Sequence, residues 1–198
     1  MTTPAPRRAE VRRTTKETDI TLKLVLDGTG QANVATGIGF LDHMLGALAK
    51  HARMDLDLAC KGDLEVDDHH TAEDCALALG QALDEALGDR RGVVRFGHAY
   101  APLDEALART VVDLSGRPWP AVDLGLTREA IGGIACENLG HVLNSLAISA
   151  RMTLHVDVLK GTNDHHRAEA AFKATALALR IAISRDGTDN IASTKGVL

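Results

Sequence analysis

The sequence predicts an α+β fold built from two copies of a βββαβα unit, each with one four-stranded sheet. Three observations carry that expectation. The 198 residues are 45% apolar and 25% charged, the composition of a folded chain with a hydrophobic core and not of a disordered one. The hydrophobic period switches between 2 and 3.6 in the same order in each half. Two adjacent histidines followed by a glutamate, D-D-H-H-T-A-E-D at 67–74 and D-H-H-R-A-E at 164–169, then stand at the same point of each copy.

The elements follow in order. Residues 7–15, 19–26 and 31–35 alternate as short strands, and D-G-T-G at 27–30 reads as a hairpin turn between the second and third. From Gly39 the pattern changes, with Leu41, Leu45 and Leu48 at helical spacing; Met54–Ala59, M-D-L-D-L-A, then alternates as a strand with one wet face. An Ala/Leu-rich helix runs from Asp68 to Leu87 and is ended by Gly88. The second copy has strands near 94–102, 106–115 and 119–124, a helix near 136–149, the strand M-T-L-H-V-D-V-L and a helix from Asp164 to Ser184. Residues 1–91 and 92–185 are thus the two halves, Arg90–Gly92 is the hinge between them, and 186–198 form a tail. Two copies make a duplication, since a solenoid needs at least three.

Charge and composition exclude several classes. A net charge of −5 without a dense Lys/Arg block argues against a nucleic-acid partner. The basic start, Arg7, Arg8, Arg12 and Arg13, is interrupted by Glu10 and reads as a solvated edge. No apolar stretch approaches the ~18 residues of a membrane span, and M-T-T-P-A-P is not followed by an apolar run, so a cytoplasmic protein without a membrane partner is expected. Cys60, Cys75 and Cys136 are odd in number and lack C-x-x-C spacing, which points to small core residues and not to disulfides or a thiolate zinc site.

The histidines carry the chemistry. His69 and Glu73 are four apart and share a helix face, while His70 is turned by about 100°; His165, His166 and Glu169 repeat the arrangement. Adjacent histidines on one helix cannot readily bind one metal, but each can serve a different one. His43 and His141 lie 26 and 24 residues before the two pairs, in the short helices. Six histidines and two glutamates suffice for two sites of three imidazoles and one carboxylate, each metal taking one histidine from each long helix. Such ligation suits first-row divalent ions, leaves Zn, Fe and Mn undistinguished, and keeps positions open for substrate or water. His98 and His155 fall outside the scheme and read as structural or exposed.

The motifs G-F-L-D-H-M (39–44), D-D-H-H-T-A-E-D (67–74), D-L-S-G-R-P (113–118), H-H-R-A-E-A-A-F-K-A (165–174) and S-T-K-G-V-L (193–198) resemble the imidazoleglycerol-phosphate dehydratase family, in order and with matching spacing over almost the whole chain. Two features depart from the pattern. Asp164 precedes the second H-H where the family carries a small or apolar residue, and 129–138 is richer in glycine. The resemblance implies helices packed between the two sheets and two manganese ions per active site. One would be held by His43, His70, His165 and Glu169, the other by His69, Glu73, His141 and His166, which makes the six histidines part of the catalytic machinery.

It further implies a phosphorylated imidazole substrate, converted with loss of water to imidazole acetol phosphate in histidine biosynthesis, through a ring held as imidazolate between the metals. Glu17 is then the leading acid/base. His51 and Lys173, each eight residues beyond a ligand histidine, become substrate contacts, and Arg95, Arg117, Ser193, Thr194 and Lys195 match phosphate-binding positions. Asp104 and Glu105 face the same region without an assigned role. A homo-oligomer of 24 subunits is also implied. The rival reading is a binuclear metallohydrolase of a phosphorylated small molecule. That enzyme wants its ions about 3.5–4 Å apart under a bridging ligand, which the diverging histidines disfavour. A metal-storage protein would have no use for the Arg/Ser/Lys set.

Overall fold

A computed structural model describes residues 6–198 of the chain. The first half comprises β1 (Arg8–Thr14), β2 (Thr18–Val25), β3 (Ala32–Ala35), α1 (Gly39–Ala52), β4 (Asp55–Gly62) and α2 (His69–Leu87). The second comprises β5 (Phe96–Leu103), β6 (Ala106–Asp113), β7 (Trp119–Asp123), a small hairpin of β8 (Ala130–Ile131) and β9 (Ile134–Ala135), α3 (Cys136–Ser149), β10 (Thr153–Lys160) and α4 (Asp164–Ala182). Apart from that hairpin the two halves repeat one order of elements, as their periodicities require.

Each half folds its four long strands into one sheet, ordered β1-β2-β4-β3 and β5-β6-β10-β7. The strand order corrects one expectation. Residues 27–30 do not close a hairpin, because β4 lies between β2 and β3 and β3 runs parallel to it. The reason is Asp55 at the start of β4. Its Oδ1 accepts the backbone N–H groups of Thr29, Gly30 and Gln31 at 2.8, 2.9 and 2.9 Å. Gly30 takes φ of +86°, a conformation in which a side chain is strained. The turn therefore wraps over the end of β4 and sets β3 down on its far side.

In β2, Ile20, Leu22 and Leu24 are buried while Thr21 and Lys23 face water, the period-2 signature of a sheet with one covered face. α2 covers β1, β2 and β4, and α4 covers β5, β6 and β10. The short helices cross over: α1 packs on α4 of the second half, and α3 on α2 of the first. The helices thus lie between the sheets, around one core that includes Leu41, Leu45, Leu79, Leu143, Leu154 and Phe172. Gly97 keeps β5 against α4, since a Cβ there would sit 2.0 Å from the Ala178 carbonyl oxygen.

The link between the halves is not a loose hinge. Arg90, 1% exposed, donates to the carboxylate of Asp84 and to the carbonyl oxygens of Ala150 and Arg151. The tail is tied to the same link, with the Gly92 N–H donating to the Asn190 oxygen at 2.9 Å. Nor is the basic start wholly solvated. Arg7 pairs with Asp27, and Arg13 reaches the buried Asp74 at 2.7 Å, anchoring β1 to its neighbours. Cys75 and Cys136 are buried and Cys60 is half-buried. Among the described residues, no helix is long and apolar enough to cross a membrane.

Candidate metal and active site

The crossed helices bring the histidines together in two clusters. His43 of α1 meets His165 and Glu169 of α4, with the two Nε2 atoms 3.0 and 3.2 Å from Glu169 Oε2. His141 of α3 meets His69 and Glu73 of α2, with Nε2 distances to the Glu73 carboxylate of 3.3 and 3.7 Å. Within each cluster one donor atom per residue lies within 4.8 Å of the others. The i,i+4 spacing of His69/Glu73 and His165/Glu169 puts each pair on one face, and the opposite half supplies the second imidazole. Each cluster thus offers two imidazoles and a carboxylate, a donor set suited to a first-row divalent cation.

The expectation of one histidine from each long helix in each site is not met within a single chain. His70 and His166 point away, each toward carboxylates of its own surroundings. His70 Nδ1 lies 3.0 Å from Asp63 Oδ2 and its Nε2 3.7 Å from Glu17. His166 Nδ1 lies 2.7 Å from Glu105 Oε2 and its Nε2 3.9 Å from Asp104. Helix geometry explains the divergence, because consecutive residues are rotated by about 100°. Each chain therefore presents two clusters of three donors and two outlying imidazoles.

Charge is distributed accordingly. Burial works to raise the Glu169 carboxyl, but the Lys173 ammonium, 2.7 Å away and one turn on, together with His43 holds it at about 2. His51 is pulled below its ordinary value by burial and by the charge of Lys173. His51 and Lys173 therefore belong with the His43 cluster. Glu105 is held at about 2 by the hydrogen bond from His166 and by the backbone N–H groups of Asn163 and Thr162. His70 and His166 are raised by their bonds to Asp63 and Glu105 respectively.

The C-terminal tail packs against the segments that carry Arg95 and Arg117. Arg95 forms a forked pair with Asp113, at 2.7 and 3.1 Å, and donates from Nη1 to the Ala192 carbonyl at 2.6 Å. Its guanidinium also covers the Phe96 ring at 4.5 Å. The chain end returns to the turn before Arg117, where a Cβ on Gly116 would lie 2.7 Å from the Leu198 carbonyl carbon. The Ser193 hydroxyl accepts the Lys195 N–H at 3.2 Å. The tail that carries Ser193, Thr194 and Lys195 thus lies against the segments of Arg95 and Arg117. Glu17 stands in the turn between β1 and β2, beside His70 and not in a strand.

Reasoning from sequence missed Asp63, Asn138 and the function of Asp164. Asp164 is 3% exposed, and its Oδ2 accepts the N–H groups of Thr127 and Arg128 at 2.8 and 2.7 Å, pinning the 124–128 loop to the start of α4. The residue that departs from the expected pattern is a brace. A hollow of about 620 Å³ beside this loop, lined by Leu124, Arg128, Cys136 and Glu137, holds none of the clustered histidines. The clusters lie open instead, with His43 51% and His69 43% exposed.

Comparison with known proteins agrees with this architecture. The model of the imidazoleglycerol-phosphate dehydratase family matches residues 36–179. The chain is 59% identical to the imidazoleglycerol-phosphate dehydratase of Phytophthora nicotianae over 97% of its own length and 42% of that protein. It is 56% identical to that of Eremothecium gossypii, over 96% of this chain and 97% of the other. The crystal structure of the Staphylococcus aureus subsp. aureus N315 imidazoleglycerol-phosphate dehydratase superposes with a TM-score of 0.81 at 36% identity, covering 90% of this chain and 99% of that one. Fold and matches define a hydro-lyase, an enzyme that removes water from its substrate. The chain belongs to the imidazoleglycerol-phosphate dehydratase family.

Proposed function

We propose that this chain dehydrates imidazoleglycerol phosphate to imidazole acetol phosphate in histidine biosynthesis, with two manganese ions per active site. The observation that carries the reading is the pair of His/His/Glu clusters, each built from both halves, in a chain of this family. The donors fit the metal: His43, His165 and Glu169 would hold one ion, and His69, Glu73 and His141 the other. Bound there, such cations would supply Lewis acidity to the imidazole ring of the substrate and favour the ring without its proton.

The protein's own groups do the rest. The hydrogen to be removed sits on a carbon without an adjacent carbonyl, so the ring has to push out the hydroxyl on the carbon next to it. Glu17, beside His70, is the group to take the proton from the following carbon, and the resulting enol becomes the ketone. His51 and Lys173 contact the substrate at the His43 cluster. Arg117, Ser193, Thr194 and Lys195 grip the phosphate, with Arg95 holding the tail through Ala192.

The outlying imidazoles call for more than one subunit. Each three-donor cluster is completed when subunits assemble, the His43 cluster by His70 of the partner subunit and the His69 cluster by His166 of the partner subunit, in a homo-oligomer of 24. The working form is cytoplasmic, with neither nucleic-acid nor membrane partners. The deciding experiment incubates the protein with imidazoleglycerol phosphate and Mn²⁺ and follows the product by mass. Imidazole acetol phosphate supports the dehydratase. Release of inorganic phosphate from the same substrate would replace it with the metallohydrolase.

A further inference from the structure

We infer that Asp63, Glu105 and Asn138 are positioning residues, which hold the rings of His70, His166 and His69 by Nδ1 and so turn each Nε2 outward as the metal-binding nitrogen. The inference rests on the metal reading proposed above and deepens it. In all three rings Nδ1 is already engaged: with Asp63 Oδ2 at 3.0 Å, with Glu105 Oε2 at 2.7 Å and with Asn138 Oδ1 at 3.0 Å. An ionised carboxylate can only accept, so Nδ1 of His70 and of His166 carries the hydrogen. Asn138 is fixed the same way round, because its Nδ2 donates to Asp68 Oδ2 at 2.9 Å and leaves Oδ1 for His69. A neutral imidazole with hydrogen on Nδ1 keeps its lone pair on Nε2. Outer groups of this kind orient a ligating ring and raise its basicity.

Placement supports a dedicated role. None of the three lies on α2 or α4, the helices that carry the rings. Asp63 follows β4, Glu105 is in the two-residue turn joining β5 and β6, and Asn138 is in α3. Each ring is therefore held between its own helix and a second element. Asp63 uses Oδ2 for His70, while its buried Oδ1 has no hydrogen-bond partner among the described residues. Glu105 works with both oxygens, Oε1 accepting the N–H groups of Thr162 and Asn163 at 3.1 and 2.8 Å while Oε2 holds His166. One carboxylate thus sets both the start of α4 and the direction of its second imidazole.

The duplication makes the assignment more pointed. The turn between β5 and β6 corresponds to the turn between β1 and β2, which carries Glu17. Glu17 stands at the Nε2 side of His70, 3.7 Å away, whereas Glu105 stands at the Nδ1 side of His166. The two copies of one turn have diverged. In the first half Asp63 orients the ring and leaves Glu17 free for proton transfer; in the second half the turn glutamate itself does the orienting.

The test is Mn²⁺ binding to the chelated protein, read from the free-ion EPR signal, with thermal midpoints measured alongside. Wild type is compared with Asp63→Leu, Asp63→Asn and Glu105→Gln. Asparagine can still accept from His70 with its one oxygen, but leucine cannot. Glutamine at 105 has a single oxygen for two sets of donors. The inference predicts that Asp63→Leu and Glu105→Gln each weaken one of two sites about tenfold or more, that Asp63→Asn restores binding to near wild type, and that thermal midpoints do not follow this order. Two sites in wild type with unchanged affinity in Asp63→Leu and Glu105→Gln would overturn the orienting role alone. So would Asp63→Asn and Asp63→Leu losing affinity equally. A wild type that binds fewer than two ions per chain would overturn the metal reading itself.

Discussion

His43 on α1 and Glu169 on α4 are 126 residues apart in the chain, yet Nε2 and Oε2 stand 3.0 Å from each other. The contact forms because each short helix packs against the long helix of the other half. Neither half alone owns a complete cluster. The duplication therefore serves the site, with each copy lending one imidazole to the other's His/Glu pair.

The first consequence concerns those pairs. His165→Ala should leave the helical content unchanged, remove one of two bound divalent ions per chain and lower turnover by about a hundredfold or more, the scale of losing one preorganised electrostatic contact. Metal analysis and steady-state rates on one preparation check it. Retained turnover with one ion per chain would contradict a two-metal site.

The proposed phosphate contacts of the tail give the second. Lys195→Ala, or removal of 193–198, should raise KM by about ten- to a hundredfold, as expected for losing a charge-assisted contact, while the thermal midpoint changes little. The exposed tail contributes little to the core. A substrate titration of each variant decides it.

Asp164 tests the brace. Asp164→Ala leaves the N–H groups of Thr127 and Arg128 without their acceptor, at a cost of about 1–3 kcal/mol. The expected fall in thermal midpoint is several degrees for a chain of this size. Asp164→Asn keeps one acceptor oxygen and should lose less. Differential scanning calorimetry of both variants ranks them.

Acid stability isolates Asp55. The Gln31 N–H, opposed by burial and helped by the N–H groups of Thr29 and Gly30, lowers its carboxyl below the ordinary value. A folded value below the unfolded one, about 3.9, means stabilisation that is complete above the unfolded value and lost as pH falls through the folded one. Asp55→Asn should therefore be less stable than wild type at pH 6, and the gap should close as the pH approaches 2. Urea midpoints across that range measure the gap.

Much of this was legible in local pattern. The alternation of Ile20, Leu22 and Leu24, the helical spacing of Leu41, Leu45 and Leu48, and the i,i+4 pairs His69/Glu73 and His165/Glu169 depend on a few neighbouring residues. What local pattern could not carry was set by distant partners. The turn at 27–30 crosses β4 because of a carboxylate at residue 55, and two-residue strands such as β8 and β9 have no period to detect. Asn138 reaches His69 across 69 positions and Glu105 reaches His166 across 61, so their roles became visible only with the helices in place.

If this chain is a metal-dependent dehydratase, both of its clusters carry metal when it works. The most direct measurement titrates Mn²⁺ into the chelated protein and follows imidazole acetol phosphate formation and particle size against ions bound per chain. Activity should be negligible without metal, the rate should reach its plateau at two ions per chain, and the particle should grow over the same range. Full activity in the metal-free protein, or a plateau at one ion, would contradict it.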